Sequence, residues 1–149
     1  STSPYSIVDS AKSILNSFGT GIFNFKNLIN GIKYFIHINH RNSIETWSDS
    51  SKSFKYCGLT IDFTTSNTKA FGNNMIQVDS SPIKYGVYSG DVNQDGAIDI
   101  ADGSLIDNDA FNFISGYVST DLNGDGIVDV ADAVFADNNG FNFVTAIIP

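Results

Sequence analysis

Through the first ninety residues, apolar and polar side chains alternate in short runs. Tyr34, Ile36 and Ile38 fall on one face of an extended chain, with Phe35, His37 and Asn39 on the other. Leu59, Ile61 and Phe63 alternate with polar neighbours, as do Phe23 and Phe25. A period of two is the signature of β-strands, and clusters of Gly, Asn and Ser punctuate the runs. Further strands are expected near Ser6–Asp9, Ser13–Asn16, Ile44–Ser48, Ser53–Tyr56, Met75–Val78 and Lys84–Tyr88. Asn30-Gly31 lies between two alternating runs and predicts a hairpin, because both residues tolerate positive φ. Many short strands without a long helical stretch predict a β-sandwich over residues 1–88.

After Gly90 the pattern changes. Residues 91–114, DVNQDGAIDIADGSLIDNDAFNFI, align with residues 121–144, DLNGDGIVDVADAVFADNNGFNFV, and twelve of the 24 positions are identical. This is an internal tandem repeat. Each copy opens with a loop of twelve positions bearing oxygen side chains at 1, 3, 5, 9 and 12. They are Asp91, Asn93, Asp95, Asp99 and Asp102 in the first loop, and Asp121, Asn123, Asp125, Asp129 and Asp132 in the second. Position 6 is Gly96 or Gly126, which permits a sharp turn. The carbonyl of position 7, Ala97 or Ile127, supplies a further oxygen. This is the spacing of an EF-hand-type Ca²⁺ loop, in which a hard cation gathers six to eight oxygens. Two bound Ca²⁺ ions are expected, whereas Mg²⁺ prefers fewer protein ligands and more water. Position 8, Ile98 or Val128, is expected to point inward and to join the two loops by a short β-bridge. Helices should follow the loops, from about Ile100 to Asp109 and from Val130 to Asn138. Neither loop has a helical pattern before it. The Phe-Asn-Phe motif after each helix, Phe111–Phe113 and Phe141–Phe143, reads as core packed beneath the loops.

Charge divides the chain at the same place. Residues 1–89 carry eight Lys and Arg against five acids, a net of +3; residues 90–149 carry eleven Asp and neither Lys nor Arg. This asymmetry argues for two modules, 1–88 and 89–149, and against nucleic acid as a partner of the second. No apolar run is long enough to span a membrane. The single Cys57 excludes an internal disulfide framework and reads as a small buried hydrophobe. A start at Ser1 without a secretory signal is read as a piece of a longer or processed protein. His37 and His40 lie three apart, on opposite faces of a strand, so they do not form a chelating pair. Trp47 reads as packing, and Arg41 and Glu45 are expected to pair across a turn. No Ser/His/Asp or Cys/His set stands at readable spacing, so an enzyme is not expected.

Two resemblances extend this reading. The stretch GTGIFNFKNLINGIKYFIHI resembles the hairpin of transthyretin-like sandwich modules, although an immunoglobulin-like sandwich has the same pattern. Residues 90–149, with two D-x-N-x-D-G-x-[IV]-x-x-x-D loops in tandem and no helix before either, resemble the dockerin family. HRNSIETWS upstream, with SGDVNQDG and DNNGFNFV downstream, is similar to a recurring C-terminal unit of large secreted bacterial proteins. The dockerin resemblance implies a calcium-dependent, extracellular or cell-surface assembly module that binds a cohesin-like domain through its helices. This chain departs from the common type at the partner positions. Ile100-Ala101 and Val130-Ala131 stand where Ser/Thr pairs are frequent, and Asp107-Asn108 and Asp137-Asn138 where Lys or Arg is frequent. The implied partner surface is therefore apolar and acidic. The alternative is a structural subunit that polymerises with other copies of itself into a fibre or layer stiffened by calcium.

Overall fold

The protein is described here from a computed structural model covering residues 5–56 and 58–149. Cys57 lies outside the described residues. The chain divides into two compact units, Ser1–Tyr34 with Ser51–Ile61, and Phe35–Ser50 with Asp62–Pro149.

In the first unit, β1 (Lys33–Tyr34) pairs antiparallel with β4 (Lys52–Ser53), Lys33 opposite Ser53. Phe54 receives the edges of Phe25 and Tyr34 at centroid distances of 6.0 and 6.5 Å. The Asp9 carboxylate accepts from the Lys26 and Asn27 amides at 2.6 and 2.7 Å, and these bonds hold its pKa below the usual carboxylate range. Among the described residues of this unit, none is fully buried.

The expected β-sandwich is not present. The described strands form three separate two-stranded ladders, two of them only two residues long. Period-two alternation assigns side chains to faces, but a sandwich also needs long strands that stack as sheets. Frequent Gly, Asn and Ser turns cut the runs before that length is reached. Asn30-Gly31 does make a turn, with Gly31 at φ +82°, yet the chain beyond it pairs with β4 instead of folding back as a hairpin.

In the second unit, β2 (His37–Ile38) pairs with β3 (Thr46–Trp47). Trp47 stacks on His37 at 4.7 Å, and His37 Nε2 lies 3.1 Å from Glu45. Two short 3-10 turns, Asn67–Lys69 and Phe71–Asn73, lead into the hairpin of β5 (Ile76–Ser80) and β6 (Ile83–Gly86). Helices α1 (Ile100–Phe111) and α2 (Val130–Phe141) each begin directly after a loop. They start where the repeat places them and run two or three residues further. No helix among the described residues is long and apolar enough to cross a membrane.

The core of this unit gathers Ile44, Val92, Ile98, Ile106, Val128, Ala133, Ala136 and Val144. Ile106 and Ala136 are equivalent positions of the two repeats, as are Ile98 and Val128. Ile44 comes from the segment between β2 and β3, so Phe35–Ser50 supplies part of the same core. Gly90 sits against it with φ +127°, and a Cβ there would stand 2.9 Å from Ile98 Cγ2 and 3.1 Å from Ala136 Cα. Gly90→Ala combines overpacking with backbone strain, so it is expected to destabilise the protein by about 2 kcal/mol. A denaturant midpoint unchanged from wild type would contradict this packing.

Candidate metal centre

Both loops are closed by their own backbone amides. In the first, Asp91 accepts from the amides of Asp95 and Gly96 at 3.1 and 3.2 Å. Asp102 accepts from Val92 and Asn93 on Oδ1 at 2.9 and 3.1 Å, and from Asp99 on Oδ2 at 3.0 Å. The second loop repeats the arrangement. Asp121 accepts from Gly124 and Gly126, and Asp132 from Leu122, Asn123 and Asp129, at 2.7 to 3.2 Å. Asn93 and Asn123 each accept from the amide two residues on, and their side-chain amides donate to Asp95 and Asp125. Asp95 and Asp125 in turn accept from the amides of Ala97 and Ile127.

The last residue of each loop also lies in the first turn of the helix. Asp99 and Asp129 are N-caps, accepting from the Ala101 and Ala131 amides at 2.7 Å. Asp102 and Asp132 complete a capping box by accepting from the N-cap amide. One carboxylate thus closes the loop, satisfies an orphan helix donor and complements the helix dipole.

Their burial decides the chemistry. Asp102 and Asp132 are 0% exposed, and Asp91 and Asp121 are 2%. Four carboxylates inside a small unit are costly without compensation. Amide hydrogen bonds offset part of this. Among the described residues the one ion pair to these four is Arg41 Nη2 to Asp121 Oδ2, at 4.0 Å. Burial pushes the Asp91 pKa up, reinforced by the negative charges of Asp102 and Asp95 and opposed by the Gly96 and Asp95 amides.

Among the described residues, no three His, Cys, Asp or Glu side chains stand together as a coordination group. The acids are held by amides, and the outer ones, Asp95, Asp99, Asp125 and Asp129, remain exposed. The donor set nevertheless fits a hard dication: it is all oxygen, repeated in both loops, and short of positive charge. Asp91, Asn93, Asp95, the Ala97 carbonyl, Asp99 and Asp102 would hold one ion. Asp121, Asn123, Asp125, the Ile127 carbonyl, Asp129 and Asp132 would hold the other.

Three local expectations are corrected. The loops do not bridge to each other. The Ile98 amide donates to the Val144 carbonyl at 2.9 Å and the Val128 amide to Ile114 at 3.1 Å, so each loop pairs with the chain leaving a helix. The Phe-Asn-Phe motifs are not core: Phe113 is 90% exposed and Phe143 87%, and Phe111 and Phe141 are comparably open. Each helix ends in a left-handed residue, Phe113 at φ 55° and Phe143 at φ 53°, which turns the rings away from a core already filled by Ile98, Ile106, Val128 and Ala136. Finally, Arg41 does not pair with Glu45. It donates to the carbonyls of Val118 and Asp121, at 2.9 and 3.0 Å.

The expected partner residues Ile100, Ala101, Asp107, Asn108, Val130, Ala131, Asp137 and Asn138 are all exposed on α1 and α2. Sequence reasoning missed Arg41 and Asn42, which contact the second loop from about 80 positions away. The signal available was the lone Arg of the chain, beside an Asn, in the half that precedes the acidic module. Comparison of the chain with protein-family models, curated proteins and solved structures returns no match.

Proposed function

We propose that the chain is a calcium-dependent assembly module of a secreted protein. In this reading two Ca²⁺ ions stabilise the loops, and a protein partner docks on α1 and α2. The observation that carries it is the set of four buried carboxylates, arranged alike in two closed loops, with one Arg as their ion-pair partner among the described residues. A dication in each loop would supply the missing positive charge and fix the start of each helix.

The partner surface in this reading joins Ile100, Val130 and the exposed Phe side chains with Asp107 and Asp137. Exposed apolar side chains that adjoin one another mark interaction surfaces, whereas singly scattered ones do not, and a left-handed Phe is an uncommon, strained conformation for a bulky residue. The partner would be a cohesin-like domain with a basic rim, steered by charge at low ionic strength. Asp107→Lys with Asp137→Lys is expected to abolish the salt dependence of association and to weaken it about tenfold at low salt. The test is capture of the partner from the native secreted fraction, with calcium and with chelator. Equal capture under both conditions, or unchanged association of the doubly reversed variant, contradicts this reading.

One observation favours a second reading, the self-assembling subunit. The first compact unit carries five Lys against Asp9, whereas the second carries three cations against fifteen acids. The first unit also exposes Ile7, Ile14, Phe18 and Ile22. A second copy is then the basic partner, and calcium-dependent growth in size on gel filtration distinguishes it from a monomer that docks a different protein.

A further inference from the structure

The first residue of each loop has its carbonyl capped, but by different donors in the two repeats. In the first loop Gln94, at position 4, donates from Nε2 to the Asp91 carbonyl at 2.6 Å. The second loop has Gly124 at that position and no side chain to offer. Its Asp121 carbonyl instead accepts from Arg41 Nη2 and Asn42 Nδ2, each at 3.0 Å. These donors come from the segment between β2 and β3.

That segment is tied down at several further points. Arg41 Nε donates to the Val118 carbonyl at 2.9 Å, and its guanidinium lies 3.9 Å over the Tyr117 ring. The Gly90 amide donates to the Asn42 carbonyl at 2.7 Å, and the Ile44 amide to the Tyr88 carbonyl at 2.9 Å. Gln94 Nε2 also reaches the Ser43 carbonyl, at 3.2 Å. Asn42, Ser43 and Ile44 are buried. One short segment therefore touches position 4 of the first loop and position 1 of the second.

We propose that Arg41 and Asn42 form a clasp through which calcium binding at the second loop and docking of the segment Phe35–Ser50 become one coupled equilibrium. The proposal rests on the calcium reading of the loops. A cation that orders Asp121 fixes the carbonyl to which both clasp residues donate. By linkage, a docked segment then raises calcium affinity by the factor by which calcium favours docking. Arg41 has a second, opposing effect, because its charge repels a cation. The guanidinium makes two hydrogen bonds to carbonyls at 3.0 Å or less and lies 4.0 Å from the Asp121 carboxylate. Positioning is the larger effect in the clasp, and the sign of the Arg41→Ala change decides it. Arg is needed for its planar fork, which a Lys does not reproduce.

The test uses the full chain in two backgrounds, Asp102→Asn, leaving the second loop to bind, and Asp132→Asn, leaving the first. Calcium affinity is measured by calorimetry, and Trp47, the only tryptophan, reads docking of the segment by its fluorescence. In the Asp102→Asn background, Arg41→Ala is expected to weaken binding about tenfold, with Arg41→Lys intermediate and Asn42→Ala similar. In the Asp132→Asn background the change should stay within about twofold. In the Asp102→Asn background, the Trp47 emission shift should need about tenfold more calcium once Arg41→Ala is added. Equal losses at both loops would make Arg41 a general stabiliser and overturn the clasp, and tighter binding in Arg41→Ala would make charge repulsion dominant and overturn it too. A wild-type chain that binds no calcium overturns the loop reading itself, and the clasp with it.

Discussion

Chelation is expected to unfold the compact unit formed by Phe35–Ser50 and Asp62–Pro149. With each loop saturated at a hundredfold excess over Kd, one ion contributes about 2.7 kcal/mol. Two contribute about 5 kcal/mol, comparable with the whole stability of a small domain. The residues that lose support are central. Asp102 and Asp132 complete the capping boxes of α1 and α2, and among the described residues Arg41 is the one cation paired with any of the four buried carboxylates. Because Ile44 belongs to the same core, the loss should spread to the β2–β3 segment. Far-ultraviolet circular dichroism should show loss of the helical signal with chelator and recovery with calcium. Identical melting curves with and without calcium would contradict a structural role for the ion.

The second large effect concerns position 12. Asp102→Ala or Asp132→Ala removes an acceptor that serves three amides, where a fully buried unsatisfied N–H costs about 1–3 kcal/mol and a part-buried one less. Unfolding or loss of one ion is the expected result, and the conservative variant separates the two causes. Asp102→Asn keeps a carbonyl oxygen toward Val92 and Asn93 while removing the charge and the acceptor for the Asp99 amide. It should hold the fold in saturating calcium yet lower affinity at the first loop about 100-fold, equivalent to about 2.8 kcal/mol. The second loop should retain its ion. If Asp102→Asn binds calcium at both loops as wild type does, the carboxylate is a helix cap and nothing more.

The contrast between the halves of the chain has a physical basis. The helices were legible because loop, cap and apolar position are fixed by local spacing: Asp99 caps, Ile98 turns inward, and Ile106 follows at helical spacing. The duplicated Ile98/Val128 and Ile106/Ala136 positions are both buried, as repetition requires. A sandwich does not follow from alternation, because the pattern in Tyr34–Ile38 or Leu59–Phe63 says which side chains share a face, not whether a second sheet covers them. The Phe-Asn-Phe motifs lie outside the core for a related reason. Hydrophobicity marks Phe113 and Phe143 as candidates for burial, but the left-handed turn that directs them outward is a property of the helix end. Arg41 and Asn42 were invisible as loop partners because their contacts lie 77 to 80 residues away in sequence. Position 4 carried a trace of them: Gln94 became Gly124 in the second repeat, leaving a carbonyl for another part of the chain to cap.

The most direct test of the central claim is a calorimetric titration of the chelator-treated full chain with Ca²⁺, repeated with Mg²⁺. The account predicts two Ca²⁺ per chain, with dissociation constants from about micromolar to low millimolar, and weaker binding of Mg²⁺. It also predicts return of the helical signal as the sites fill. Absence of heat with Ca²⁺, or saturation at one ion per chain, would contradict it.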